Sequence, residues 1–142
     1  MTAVDLSALS KRYDGTTALD GIDLSVANGE FFTLVGPSGC GNTTTLRLLA
    51  GFEDPTTGTV QIDGESMAGV APEQRGIGVV FQNYALFPTM SVAENIAYGL
   101  HFSPPPGGVS RSERVEDLLD LVDLAGMGER DPDSLSGGQQ QR

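Results

Sequence analysis

The sequence predicts an α/β fold, on three observations. A short apolar run, Phe31-Phe32-Thr33-Leu34-Val35, leads into the glycine-rich segment Gly36-Pro37-Ser38-Gly39-Cys40-Gly41-Asn42-Thr43-Thr44, and that segment leads into an apolar pattern of helical spacing. The residues before the run carry the short apolar stretches and turn residues of β structure. Beyond residue 88 the periodicity becomes that of amphipathic helices. With 142 residues the chain is long enough for one domain with a real core and too short for two of ordinary size.

In chain order, Val4, Leu6 and Leu9, then Leu19, Ile22, Leu24 and Val26, predict two strands separated by Asp14-Gly15 and closed by Asn28-Gly29. Residues 31–35 predict a buried strand, because the run is apolar without alternation. Thr43 to Ala50, with Leu46, Leu48 and Leu49, predicts a helix stopped by Gly51. Thr59 to Asp63 predicts another short strand, ended at Gly64, and Gly78-Val79-Val80-Phe81 another. Ser91-x-x-Glu94 is a capping box, from which Val92, Ile96, Ala97 and Leu100 carry a helix to His101. Ser103-Pro104-Pro105-Pro106-Gly107-Gly108 breaks the pattern, and a second amphipathic helix runs from Ser112 to Asp123 with Val115, Leu118, Leu119 and Val122 on one face. The expected organisation is a β-rich core over residues 1–88 and a helical subdomain over 89–142, with no internal repeat. His101, at a helix end before prolines, reads as structural or solvated.

The glycine-rich segment carries chemistry. Gly36, Gly39 and Gly41 let the backbone turn tightly, so that successive N–H groups can point at a phosphate held at the helix N-terminus. In the pattern G-x-x-x-x-G-K-[ST] the lysine reaches the outer phosphates and the next hydroxyl ligates Mg²⁺. Here Thr43 supplies the hydroxyl and Asn42 stands in the lysine's place. A carboxamide can donate a hydrogen bond, but it is shorter than lysine, and charge-assisted bonds are roughly twice as strong as neutral ones. The competing reading, a glycine-rich turn without a ligand, is disfavoured by the strand and helix patterns on either side.

Charge and cysteine content narrow the partners. The formal net charge is −11, which makes a nucleic-acid backbone an unfavourable partner. Lys11 is the sole lysine against 19 acidic residues, a balance that fits adaptation to high salt or an ordinary acidic solubility face. The lone cysteine, Cys40, excludes an internal disulfide and fits a reducing compartment. At a helix N-terminus it could be a reactive thiol or a small residue filling a loop position. The sequence has no run of about 18 apolar residues that would insert into a membrane.

Residues 135–142, Leu135-Ser136-Gly137-Gly138-Gln139-Gln140-Gln141-Arg142, combine with the phosphate loop in a pattern that resembles an ABC-transporter ATP-binding subunit. Between the two motifs, Phe81-Gln82-Asn83-Tyr84-Ala85-Leu86-Phe87-Pro88 is similar to the family's Q-loop, and Lys11-Arg12-Tyr13 resembles its adenine-stacking segment. The stretch from Ser91 to Leu100 looks most like prokaryotic importers of iron, polyamines, sulfate or related solutes. The resemblance implies a P-loop NTPase core with an N-terminal antiparallel β subdomain and a helical lobe. It implies ATP and Mg²⁺ as ligands, with Gly36 to Thr44 cradling phosphate and Tyr13 stacking on adenine. Thr43 and Gln82 would lie at the metal, Gln82 also beside attacking water. Ser136, Gly137, Gly138 and Gln139 would meet the nucleotide of a second ATP-binding subunit packed head to tail. Membrane permease subunits are the further partners implied, which would hold the protein on the cytoplasmic face of the cell membrane.

The departures from the family carry expectations of their own. The chain stops at Arg142, before the family's strand with its Mg²⁺-binding aspartate and catalytic glutamate, so the fold is expected to be truncated before the remaining core strands, leaving bare apolar surface. With Asn42, this implies poor nucleotide binding and no hydrolysis. The leading expectation is the N-terminal part of an importer ATPase. A non-hydrolysing nucleotide-binding regulatory module and a fragment of a non-transport ABC ATPase are the alternatives.

Overall fold

The computed structural model describes residues 3–81 and 85–142. The chain divides into two compact units, Met1–Val79 and Val80–Arg142.

The first unit is built on an antiparallel sheet with the strands in the order Thr16–Val26 (β2), Val4–Tyr13 (β1), Thr57–Ile62 (β3) and Glu65–Ser66 (β4). Strand β1 (Val4–Tyr13) returns through Asp14-Gly15, both at positive φ, directly into β2 (Thr16–Val26), with Tyr13 opposite Thr16. Two residues of positive φ are what the tightest hairpin with the strand twist requires. Strand β3 (Thr57–Ile62) lies on the other side of β1, and Asp63-Gly64 turns it into the short β4 (Glu65–Ser66). The apolar residues Leu6 and Leu9 are three apart, which a regular strand would place on opposite faces. Both are nonetheless buried, because the register opposite β2 shifts between them and Ala8 takes φ 45°. The bulge presses on β3 at Gly58, where an added Cβ would lie 2.4 Å from the Ala8 carbonyl oxygen.

Helix α1 (Asn42–Ala50) packs Leu48, fully buried, against a core of Leu6, Leu9, Leu19, Val60, Ile62 and Met67. Leu46 is exposed, so the helix buries Thr45, Leu48 and Ala50 rather than all the leucines the pattern offered. Gly51 ends the helix in the left-handed conformation, as expected of a glycine at that place. The α1 carboxyl end is then held by Arg75. This guanidinium is buried and donates to the carbonyls of Leu48, Leu49, Met67 and Val70 at 2.9–3.0 Å. The partial negative charge of the helix end and the four carbonyls stand in for a carboxylate.

Two expected strands are absent. Residues 31–35 and 78–81 belong to no ladder among the described residues, and Phe31 and Val80 are 94% and 98% exposed. A central parallel strand is stable only with a hydrogen-bonded neighbour and cover on both faces, and no described residue supplies these. The bare apolar surface expected of this fold is therefore present.

The second unit holds α2 (Val92–Gly99) and α3 (Arg111–Leu121) around Val92, Val115, Leu119, Leu124 and Leu135. Ser91 and Glu94 form the predicted capping box in full. Asn95 turns back on the chain before α2, exchanging bonds with both main-chain groups of Phe87 and donating to the carbonyls of Met90 and Ser91. A short helix α4 (Gly137–Gln140) follows Leu135.

Candidate functional site

The loop from Gly36 to Gly41 is exposed or half-exposed and leads straight into α1. Gly39 and Gly41 take φ 84° and 93°, a conformation that other residues adopt at a cost. Gly41 also sits on β2, where a Cβ would be 2.6 Å from Leu19 Cδ1 and 2.9 Å from the Ala18 carbonyl. Gly36 owes its identity to close approach instead: a Cβ there would meet the Cys40 sulfur at 2.6 Å. Cys40 is exposed, and its N–H donates to the Pro37 carbonyl at 3.1 Å across the turn that contains Ser38.

The start of α1 is left open. No side chain caps it, and the Thr45 N–H to Gly41 carbonyl bond, 2.8 Å, closes its first turn. The N–H groups of Asn42, Thr43 and Thr44 therefore precede the helical ladder and carry the positive end of its dipole. The Thr43 side chain is exposed at this end. A hydroxyl is a hard oxygen donor of the kind Mg²⁺ takes alongside phosphate and water, so the position fits that ion. Among the described residues no group of three or more His, Cys, Asp or Glu forms a metal-binding cluster.

Asn42 does not point outward alone: its Nδ2 donates to the Leu34 carbonyl at 3.3 Å, joining the first helical residue to the chain just before the loop. Tyr13, at the end of β1, is 40% exposed, and its phenol donates to the Glu53 carboxylate. That hydrogen bond, with desolvation and the Glu53 charge, raises the Tyr13 pKa above the ordinary phenol value, while the Thr44 side chain and the Arg47 charge pull the other way. The same bond lowers the Glu53 pKa, helped by Lys11 and Arg47 against desolvation. Lys11 and Arg47 each lie 3.5 Å from a Glu53 oxygen. The structure thus ties Tyr13 to Glu53, a residue that the sequence reading did not single out.

In the second unit, Ser136 caps α4. Its hydroxyl accepts from the Gln139 N–H at 3.4 Å, and the Gln139 side chain accepts from the Ser136 N–H at 2.9 Å. Gly137 and Gly138 form the exposed first turn. The hydroxyl keeps its own proton for donation. Gln82 lies outside the described residues.

Three comparisons bear on this geometry. The ABC transporter family model matches residues 19–142. The spermidine/putrescine import ATP-binding protein PotA of Thermobifida fusca is 50% identical over 144 residues, which are 99% of this chain and 37% of that protein. PotA of Marinobacter nauticus is 52% identical over 141 residues, again 99% of this chain and 38% of that protein. The chain thus spans little more than a third of the curated relatives it matches. Among solved structures, a dimeric bacterial ABC transporter cassette matches with TM-score 0.82 and 31% identity. An ATP-binding cassette in a dimeric post-hydrolysis state with ADP and Pi matches with TM-score 0.76 and 28% identity. Each match covers 96% of this chain and 65% of the other. The fold class expected from the sequence is therefore this chain's: a cassette of the P-loop type with an antiparallel β subdomain and a helical lobe, truncated relative to the full domain and without the strands expected at 31–35 and 78–81.

Proposed function

The chain belongs to the ABC transporter family, and from that premise we propose that it is the nucleotide-binding part of a polyamine importer's ATP-binding subunit. The observation that carries the reading is the uncapped start of α1 behind a loop bent by left-handed Gly39 and Gly41. The uncapped N–H groups of Asn42, Thr43 and Thr44 stand where the α1 dipole is positive, an arrangement that binds phosphate. Gly36, Pro37, Ser38, Cys40 and Thr44 complete the cradle, and Tyr13 takes the adenine on its ring face. Mg²⁺, when bound, offsets negative charge on the phosphates; Thr43 and Gln82 would hold it. Ser136 offers its hydroxyl proton, and Gly137 and Gly138 their main-chain N–H groups, to the phosphate held by a second subunit packed head to tail, while Gln139 closes the cap behind them.

Asn42 sets the strength of this site. A neutral donor directed at Leu34 leaves the phosphates to the backbone, so the chain binds ATP weakly and does not turn it over. Asn42 also favours a second reading, a nucleotide-binding module that regulates without hydrolysis. The polyamine assignment is supported by the relatives, both spermidine/putrescine import proteins by name. Permease subunits on the inner face of the membrane are the proposed partners. The ring ladder Phe87, Tyr98 and Phe102, with centroids 4.6 and 5.6 Å apart and all three residues exposed, offers an apolar contact surface for them. No helix among the described residues is long and apolar enough to cross a membrane.

The test is calorimetric titration with Mg-ATP, with inorganic tripolyphosphate as competitor. Weak saturable binding that tripolyphosphate displaces is expected; no binding of either up to millimolar concentration would remove the nucleotide reading. Co-purification with permease subunits produced in the same cells tests the importer reading: association that weakens in Phe102→Ala is expected, and no association would remove that reading.

A further inference from the structure

The ring proposed to receive a base is held from two sides. Its phenol donates to Glu53, whose side chain is 20% exposed, and Glu53 is itself paired with Lys11 and Arg47 at 3.5 Å. Lys11 also lies over the ring, its Nζ 5.1 Å from the centroid. That ammonium is itself fixed, because it donates to the Asp54 carbonyl at 2.6 Å and its side chain is 16% exposed. The chain's sole lysine is therefore committed to one face of one tyrosine. Arg47, the other cation on Glu53, sits on α1, the helix whose open end meets the loop.

We propose that Glu53 is a positioning residue for base recognition, acting through the Tyr13 hydroxyl, and that with Lys11 on one ring face it leaves the other as the single face open to an aromatic base. The inference rests on the nucleotide reading above and deepens it. A phenol bonded to a carboxylate cannot swing freely, so the stacking face is set before a ligand arrives and less freedom is lost on binding. A cation over one face is attracted to the ring and excludes a base from that side. Because Glu53 is tied to α1 through Arg47, the base platform and the phosphate cradle are anchored to the same rigid element. Ligands that carry both a base and a polyphosphate are then favoured over polyphosphate alone.

Tyr13→Phe tests the link directly, since it removes the hydroxyl and keeps the ring. The affinities of ATP and of tripolyphosphate are measured for the wild type, Tyr13→Phe, Glu53→Ala and their combination, with Glu53→Gln as a second variant should Glu53→Ala fail to fold. Releasing the ring without deleting it should cost part of the stacking contribution and weaken ATP by about three- to tenfold. Tripolyphosphate affinity should stay unchanged, and the double variant should be no weaker than either single one. An unaltered ATP affinity in Tyr13→Phe, or additive losses in the double variant, would overturn the proposal and leave the nucleotide reading intact. So would a wild type that binds tripolyphosphate as tightly as ATP. A wild type that binds neither ligand overturns both.

Discussion

The side-chain amide of Asn42 donates to the main-chain carbonyl of Leu34, 3.3 Å away, and so spans the neck of the loop from the position where a phosphate loop ordinarily carries its lysine. The loop closes on itself there rather than reaching outward with a charge.

Asn42→Lys should therefore tighten Mg-ATP binding. A charge-assisted contact to phosphate is typically worth about 1.5–3 kcal/mol, or roughly ten- to a hundredfold in affinity. The gain should be smaller for ADP, which lacks the outermost phosphate. Calorimetry on the two variants decides it: equal ATP affinities would mean that the backbone nest alone sets binding.

Arg75→Met should lower stability by roughly 2–4 kcal/mol, because four carbonyls lose their donor and two of the bonds lie fully inside. Arg75→Lys should recover little, since an ammonium cannot reproduce a planar fork that spans residues 48–70. Denaturant midpoints read this, and a lysine variant as stable as the wild type would show that charge alone suffices.

The Tyr13 and Glu53 pair gives stability a pH signature at each end. The folded-state pKa of Glu53 is depressed below 4.5, so its contribution is present above that value and is lost as pH falls through the folded one. Tyr13 is raised above 10.0, so its contribution is present below that value and is lost as pH rises through the folded one. Thermal melts of the wild type and Glu53→Gln should differ at pH 7 and converge as the pH falls through the depressed folded-state value. A difference that persists at low pH would mean that the carboxylate charge does not matter.

Salt should stabilise the chain. With a net charge of −11, screening relieves self-repulsion, and most of the gain in sodium chloride should arrive by a few tenths molar, where the Debye length has fallen to roughly 4–6 Å. Sulfate, which also strengthens apolar burial, serves as the matched comparison. A melting temperature indifferent to sodium chloride would count against the charge argument.

What the sequence made legible followed from local rules. Ser91 and Glu94 announce their cap, Gly51 its helix end, and Asp14-Gly15 its hairpin, because each signal concerns neighbours within a few residues. The three-residue step from Leu6 to Leu9 already encodes a bulge, although two strands could be drawn without noticing it. Residues 31–35 misled for a physical reason. Their apolarity records a strand's burial, but a strand also needs a ladder partner, and composition does not reveal whether one is present. In the candidate site, the left-handed turns at Gly39 and Gly41 were readable from spacing alone. Glu53 and Arg75 were not, because their roles depend on contacts across 40 and 27 residues that only the folded chain brings together.

The clamp at Arg75 and the open loop lie at opposite ends of the same nine-residue helix, a strut roughly 13 Å long. Damage at the clamped end would be felt at the free one. At Gly51 an added Cβ would sit 2.5 Å from the Arg75 Nε, so even alanine there would push the guanidinium and, with it, the register of the helix on the sheet. In a mutational scan scored by nucleotide binding, Gly51 and Arg75 would consequently sort with the ligand-contacting residues although neither approaches the loop. Such a scan must be paired with a stability measurement before its map is taken for an outline of the pocket.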